Sequence, residues 1–146
     1  MSFTPRRALV TLASGVASLI VWEVFARLIA PSWIGFMLDP TGLIEMASGI
    51  SGAPAEAIHI VTGLLIYPLG YQLVVRPLAP GLAWPVLGAA YGVALWVFAI
   101  YIMASLVGGA APFLGFEPVA WASLVGHLAV GLTIAGVTAF YPGASR

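Results

Sequence analysis

His59-Ile-Val-Thr-Gly63-Leu64-Leu-Ile66 recurs as His127-Leu-Ala-Val-Gly131-Leu132-Thr-Ile134. It is one H-x-x-x-G-L-x-I phrase written twice, and it holds the only two histidines of the chain. Both copies lie inside long apolar runs. On a helix turning about 100° per residue, positions about four and seven apart fall on one stripe. Glycine on such a stripe lets a neighbouring backbone approach, and histidine in hydrocarbon requires a polar partner. Gly63 and Gly131 are therefore expected at helix contacts, with His59 and His127 facing inward.

The surrounding composition fixes the medium. Of 146 residues, 62% are hydrophobic and 7% charged, and the mean hydropathy is +1.08. A water-soluble domain carries about a quarter charged residues, so this chain is expected in a bilayer. The absence of cysteine removes disulfides and thiolate chemistry. Arginine supplies all five Lys/Arg charges, and no basic patch exists for nucleic acid.

Four spans are expected, at about 8–30, 54–75, 84–107 and 118–141, forming a single all-α transmembrane domain over 1–146. The first, at about 1.5 Å per residue, covers roughly 34 Å and crosses a membrane once. Its length and the lack of a small-residue cleavage site favour an uncleaved helix over a signal peptide. Between the first two spans, Asp39-Pro40 reads as an N-cap and first helical proline. Leu43, Met46, Ala47 and Ile50 follow at helical spacing, opposite Thr41, Glu45 and Ser48, which predicts a short surface helix. Pro68 is expected to kink the second span. Gly88-x-x-x-Gly92 in the third is a close-packing signature. Short connections imply an up-down-up-down four-helix bundle.

Charge sets an orientation. Arg6, Arg7, Arg76 and Arg146 fall at one end of such a bundle, and Asp39, Glu45, Glu56 and Glu117 at the other. The positive-inside rule puts the arginine end and both termini in the cytoplasm. The halves also echo each other: Ala30-Pro31-Ser-Trp-Ile-Gly35-Phe36 follows the first span and Ala111-Pro112-Phe-Leu-Gly115-Phe116 the third. A parallel duplication of a two-helix unit is the expectation.

Gly88-x-x-x-Gly92-x-x-x-Trp96, Met103, Gly108-Gly109, Phe116 and Gly126-His127-x-x-x-Gly131 together resemble the YagU-like group of bacterial inner-membrane proteins, over roughly residues 83 to 140. The resemblance implies a small multi-pass protein of a bacterial inner membrane whose last helix carries H-x-x-x-G. Ala104 stands where the group has a proline after the methionine. The group has no established chemistry, so no catalytic residue is carried over.

Four ionisable residues lie within the spans: Glu23, Arg27, His59 and His127. Such residues are functional candidates. His59 and His127, on alternate helices, could ligate a haem b from both sides, although their estimated depths differ by about one turn, roughly 6 Å. The competing reading pairs them with Tyr67, Ser123 or Thr138. A proton or solute path through an oligomer is a further alternative, but none of the four reaches the inner half. Thr11, Ser14, Gly15 and Ser18 form a small polar stripe, and Glu23 and Arg27 point away from it. A pair so placed favours contact with a partner membrane protein or a second copy. No hydrolase, phosphate-loop or local metal motif is present. The sequence therefore points to a non-catalytic accessory or interaction subunit without a cofactor, the haem-binding electron-transfer subunit being its main rival.

Overall fold

The computed structural model describes residues 5–141, so Arg146 and Pro142 lie outside it. Five helices follow in order: α1 (Pro5–Ile34), α2 (Pro40–Ser48), α3 (Ala53–Leu78), α4 (Trp84–Val107) and α5 (Pro118–Phe140). All except α2 are long and apolar enough to cross a membrane. No strand occurs among the described residues. The protein is an all-α four-helix membrane bundle.

Helix α5 is the centre. It packs most extensively on α4 and next on α1, while α3 leans on α1. Small residues set these contacts. A Cβ built on Gly92 would lie 2.6 Å from the His127 carbonyl oxygen, and one on Gly88 3.0 Å from that of Gly131. A Cβ on Gly131 would in turn meet the backbone of Gly92 at 2.6 Å. Hydrocarbon supplies no hydrophobic drive between helices, so such backbone approach is what holds α4 to α5. A Cβ on Gly63 would instead collide with Leu19 of α1 at 2.5 Å. The two glycines of the repeated phrase therefore face different neighbours.

The polar stripe of α1 is buried, and its hydroxyls are satisfied locally. Thr11 Oγ1 donates to the Arg7 carbonyl at 2.8 Å, Ser14 Oγ to that of Thr11 at 3.0 Å, and Ser18 Oγ to that of Gly15 at 3.1 Å. Gly15 sits against the backbone of Leu64.

The first helix does not stop at Ala30. It runs through Pro31 to Ile34 and ends at Gly35, whose φ of 83° is left-handed. The reason is a widened turn. Segments Phe25–Ile29, Thr62–Ile66 and Tyr71–Val75 are π-helical, and Pro31, Pro68 and Pro77 each follow two residues later. A proline lacks an N–H and crowds the carbonyl four residues back, at a cost of about 3 kcal/mol in a regular helix. Those carbonyls belong to Arg27, Leu64 and Leu73, the middle residue of each widened segment. The expanded turn relieves the crowding and the helix continues. A fourth π segment, Val97–Val107, has no proline behind it, and its local sequence does not explain it.

The two connections that echo each other in sequence take different conformations. Ala30–Ile34 is α-helical, whereas Pro112–Phe116 is a tight turn in which Phe113, Leu114 and Phe116 have φ of 50°, 53° and 56°. Each such residue costs about 1–2 kcal/mol. Phe113 stacks on Trp96, Tyr101 and Phe116, and Phe116 contacts Trp121. Aromatic pairs contribute about 0.5–1.5 kcal/mol each beyond their burial, which is comparable to the strain.

Candidate functional site: a histidine-lined intramembrane cavity

Helices α3 and α4 meet near the arginine end, where the Tyr91 hydroxyl donates to the Tyr67 carbonyl at 2.7 Å and the rings of Tyr71 and Tyr91 lie 5.6 Å apart. Towards the carboxylate end they part. The space between them is a cavity of about 610 Å³, within the range of small-ligand pockets.

Tyr67 and Val130 lie at its deep end. Its roof is α2 with the loop before it. Asp39 and Pro40 start that helix as cap and first residue: Asp39 Oδ1 accepts from the Gly42 N–H at 2.9 Å and from Thr41 Oγ1 at 2.6 Å. The Thr41 hydroxyl and the Gly42 amide hold the Asp39 carboxyl below the usual carboxylate range. Leu43 of α2 packs on the Trp96–Ile100 cluster of α4, and a Cβ on Gly108 would lie 3.0 Å from Met46 Cγ.

Both histidines line this cavity. His59 comes from the first turns of α3, half-buried and beside the charges of Glu23 and Arg27. His127 comes from α5 and is 6% exposed. Its Nδ1 lies 2.8 Å from the Ser123 carbonyl oxygen. A carbonyl can only accept, so Nδ1 carries the proton and a neutral ring presents its lone pair at Nε2. Trp22 of α1 packs edge-on against this imidazole with centroids 5.0 Å apart. Trp22 also lines the cavity, and its indole Nε1 is buried without a hydrogen-bond partner. Ser18, Thr62 and Ser123 also line it, and the rest is mostly apolar, with Phe98, Ala99 and Met103 from α4 and Ile58 and Ile66 from α3. Ile58, Ile66 and Phe98 are 40%, 56% and 43% exposed, so the gap between α3 and α4 opens sideways through an apolar rim. That rim faces the hydrocarbon of a membrane.

Glu23 and Arg27 form an i,i+4 ion pair on α1. Arg27 also borders a polar recess with Asp39, Thr41, Glu45 and Glu56. The pair therefore lies among the other charges of the carboxylate end. No group of three metal-ligating side chains comes together among the described residues.

The Ser123–His127 bond was foreseeable from i,i+4 spacing. The roles of Trp22 and Asp39 at the cavity were not, because they depend on how far α3 leans from α4. Comparison with protein families, curated proteins and solved structures finds no match.

Proposed function

We propose that this protein is a non-catalytic membrane component that holds a small, largely apolar molecule between α3 and α4. The observation that supports this reading is the cavity itself: it is capped by α2, opens sideways through apolar side chains and carries both histidines. A lateral opening in hydrocarbon favours a ligand that arrives dissolved in lipid. We place the arginine end in the cytoplasm of a bacterium, on the positive-inside rule, with the cavity in the outer half. Reporter fusions after Arg76 and after Gly115 should report opposite sides, and the same side for both would overturn that placement. Likeness to the YagU-like group belongs to the same proposal and assigns no chemistry.

The test is extraction. Protein purified in mild detergent should release a neutral apolar compound detectable by mass spectrometry, and Thr62→Phe, which fills the cavity from its α3 wall, should not. An extract identical for both variants would contradict the reading.

A haem b is the second reading, favoured because both imidazoles line one cavity and His127 has Nδ1 committed to a carbonyl, as metal-ligating histidines do. It requires a Soret band lost in His59→Ala and His127→Ala. Assembly with a partner through Glu23 and Arg27 is weakened as a motive, since Arg27 shares its recess with the carboxylates of its own chain.

A further inference from the structure

Two spaces meet at the roof. The apolar cavity lies on one side of the first turn of α2, and the polar recess of Arg27, Glu45 and Glu56 lies on the other. Asp39 and Gly42 line both, so a single helical turn is the partition between them. Glu45, Gly52, Ala53 and Glu56 are exposed, and the recess therefore opens to the water at the carboxylate end.

The partition is lightly held. No residue of α2 is buried, although Leu43, Ile44 and Met46 line the cavity. The roof is tied by the Leu38 N–H on the Ala26 carbonyl at 3.3 Å, by Leu43 on the Trp96–Ile100 cluster and by Met46 beside Gly108. A helix with so little buried surface belongs to the low-stability end of a fold, from which lids are drawn. Glycines bracket it. Gly35 before it and Gly49 and Gly52 after it have φ of 83°, 73° and 65°. A Cβ built on any of the three would meet nothing within 4 Å. Free space and the wide φ/ψ range of glycine are what a hinge needs.

We infer that α2 is a lid, whose swing about Gly35 and the Gly49–Gly52 turn joins the cavity to the recess and gives a held molecule a second route, to the aqueous phase at the carboxylate end. The gap between α3 and α4 is then the entrance from lipid, and the roof is a gated mouth. Water between apolar walls is unfavourable, so the closed lid is the resting state. The inference rests on the cavity reading and goes beyond it, because it assigns exchange rather than storage.

The test is aqueous access to a single thiol in this cysteine-free chain. Ala99, 6% exposed on the cavity wall, is replaced by Cys in the full-length protein in lipid nanodiscs. A maleimide bearing a quaternary ammonium cannot arrive through hydrocarbon and reads the gated mouth. N-ethylmaleimide dissolves in lipid and reads the lateral one. Geometry supplies a lock: a Cβ on Gly108 would lie 3.0 Å from Met46 Cγ, close to where a cysteine sulfur at position 46 would sit. Met46→Cys with Gly108→Cys is therefore placed to form a disulfide.

With that disulfide formed, reaction of the Ala99→Cys thiol with the charged reagent, read by peptide mapping, should be lost and should recover on reduction. N-ethylmaleimide should react with it in both forms. Asp39→Ala removes both the cap of α2 and a side chain of the partition, and should quicken the charged reaction about fivefold. Equal charged reaction of the locked and reduced forms would overturn the lid. Should the cysteine pair disturb folding, an unchanged rate in Asp39→Ala would do the same. Reaction with N-ethylmaleimide alone would overturn the second mouth and leave the cavity reading intact. Reaction with neither reagent in a folded protein would overturn the cavity as well.

Discussion

The backbone N–H of Leu38 donates to the carbonyl oxygen of Ala26, twelve residues earlier, at 3.3 Å. Proline is the cause. Within the widened turn Ala30 donates to Phe25, and Pro31 has no N–H to offer, so the Ala26 carbonyl is free to accept from outside the helix. The bond pins the loop that carries Phe36, Met37 and Leu38 over the cavity.

Replacing Pro31 with Ala supplies the missing N–H and lets the last turns of α1 close on themselves. The Leu38 amide should then lose its acceptor. Hydrogen exchange at Leu38 is expected to quicken by about three- to tenfold, matching a net bond of about 0.5–1.5 kcal/mol. Unchanged exchange would mean that the loop is held by its side chains alone.

The Asp39 cap makes the roof pH-sensitive. Its carboxyl titrates below an unfolded value near 3.9. A carboxylate with a lowered folded pKa contributes stability above the unfolded value and loses it as pH falls through the folded one. Protection of residues 40–48 from exchange should therefore be constant from pH 7 to about pH 5 and decline below about pH 4. Asp39→Asn keeps the acceptor and should flatten the profile. Asp39→Ala should cost α2 about 1 kcal/mol at neutral pH.

The α4–α5 crossing should be intolerant of a single methyl group. Gly131→Ala and Gly92→Ala place a carbon within 2.6 Å of facing backbone, and overpacking of this kind costs about 1–3 kcal/mol. Gly136→Ala meets only the Trp84 ring, at 3.3 Å, and gains helix propensity. Unfolding in mixed micelles should rank Gly136→Ala well above the other two.

Much of the bundle is legible in the sequence because hydrocarbon narrows the choices: long apolar runs must be helices, and Gly88-x-x-x-Gly92 is a marker of close approach. Asp39-Pro40 marks the start of α2 through side-chain chemistry that is local. The passage of α1 through Pro31 is not legible, since a proline in an apolar helix reads as a stop unless the widened turn before it is known. Nor is the cavity. It exists because α3 contacts α1 and parts from α4, which depends on where each helix carries its bulk, not on any motif. The histidine phrase drew attention to the right residues and gave no hint that Trp22, from a third helix, completes their surroundings.

Glu23→Leu should leave the migration of the protein unchanged in native electrophoresis. Glu23 and Arg27 are 33% and 60% exposed at the side chain, and an exposed pair contributes about 0.2–1 kcal/mol. Dissolution of a larger species by this substitution would instead show that the pair anchors a partner chain.

The most direct measurement of the cavity as a binding space is photolabelling with a small, diffusible apolar probe in the native membrane, followed by peptide mapping. Phe98 and Met103 should be labelled in the wild type, and labelling at Met103, which borders the cavity, should fall sharply in Thr62→Phe. Labelling confined to outward residues such as Leu28 and Leu106, indifferent to that substitution, would contradict a ligand site between α3 and α4.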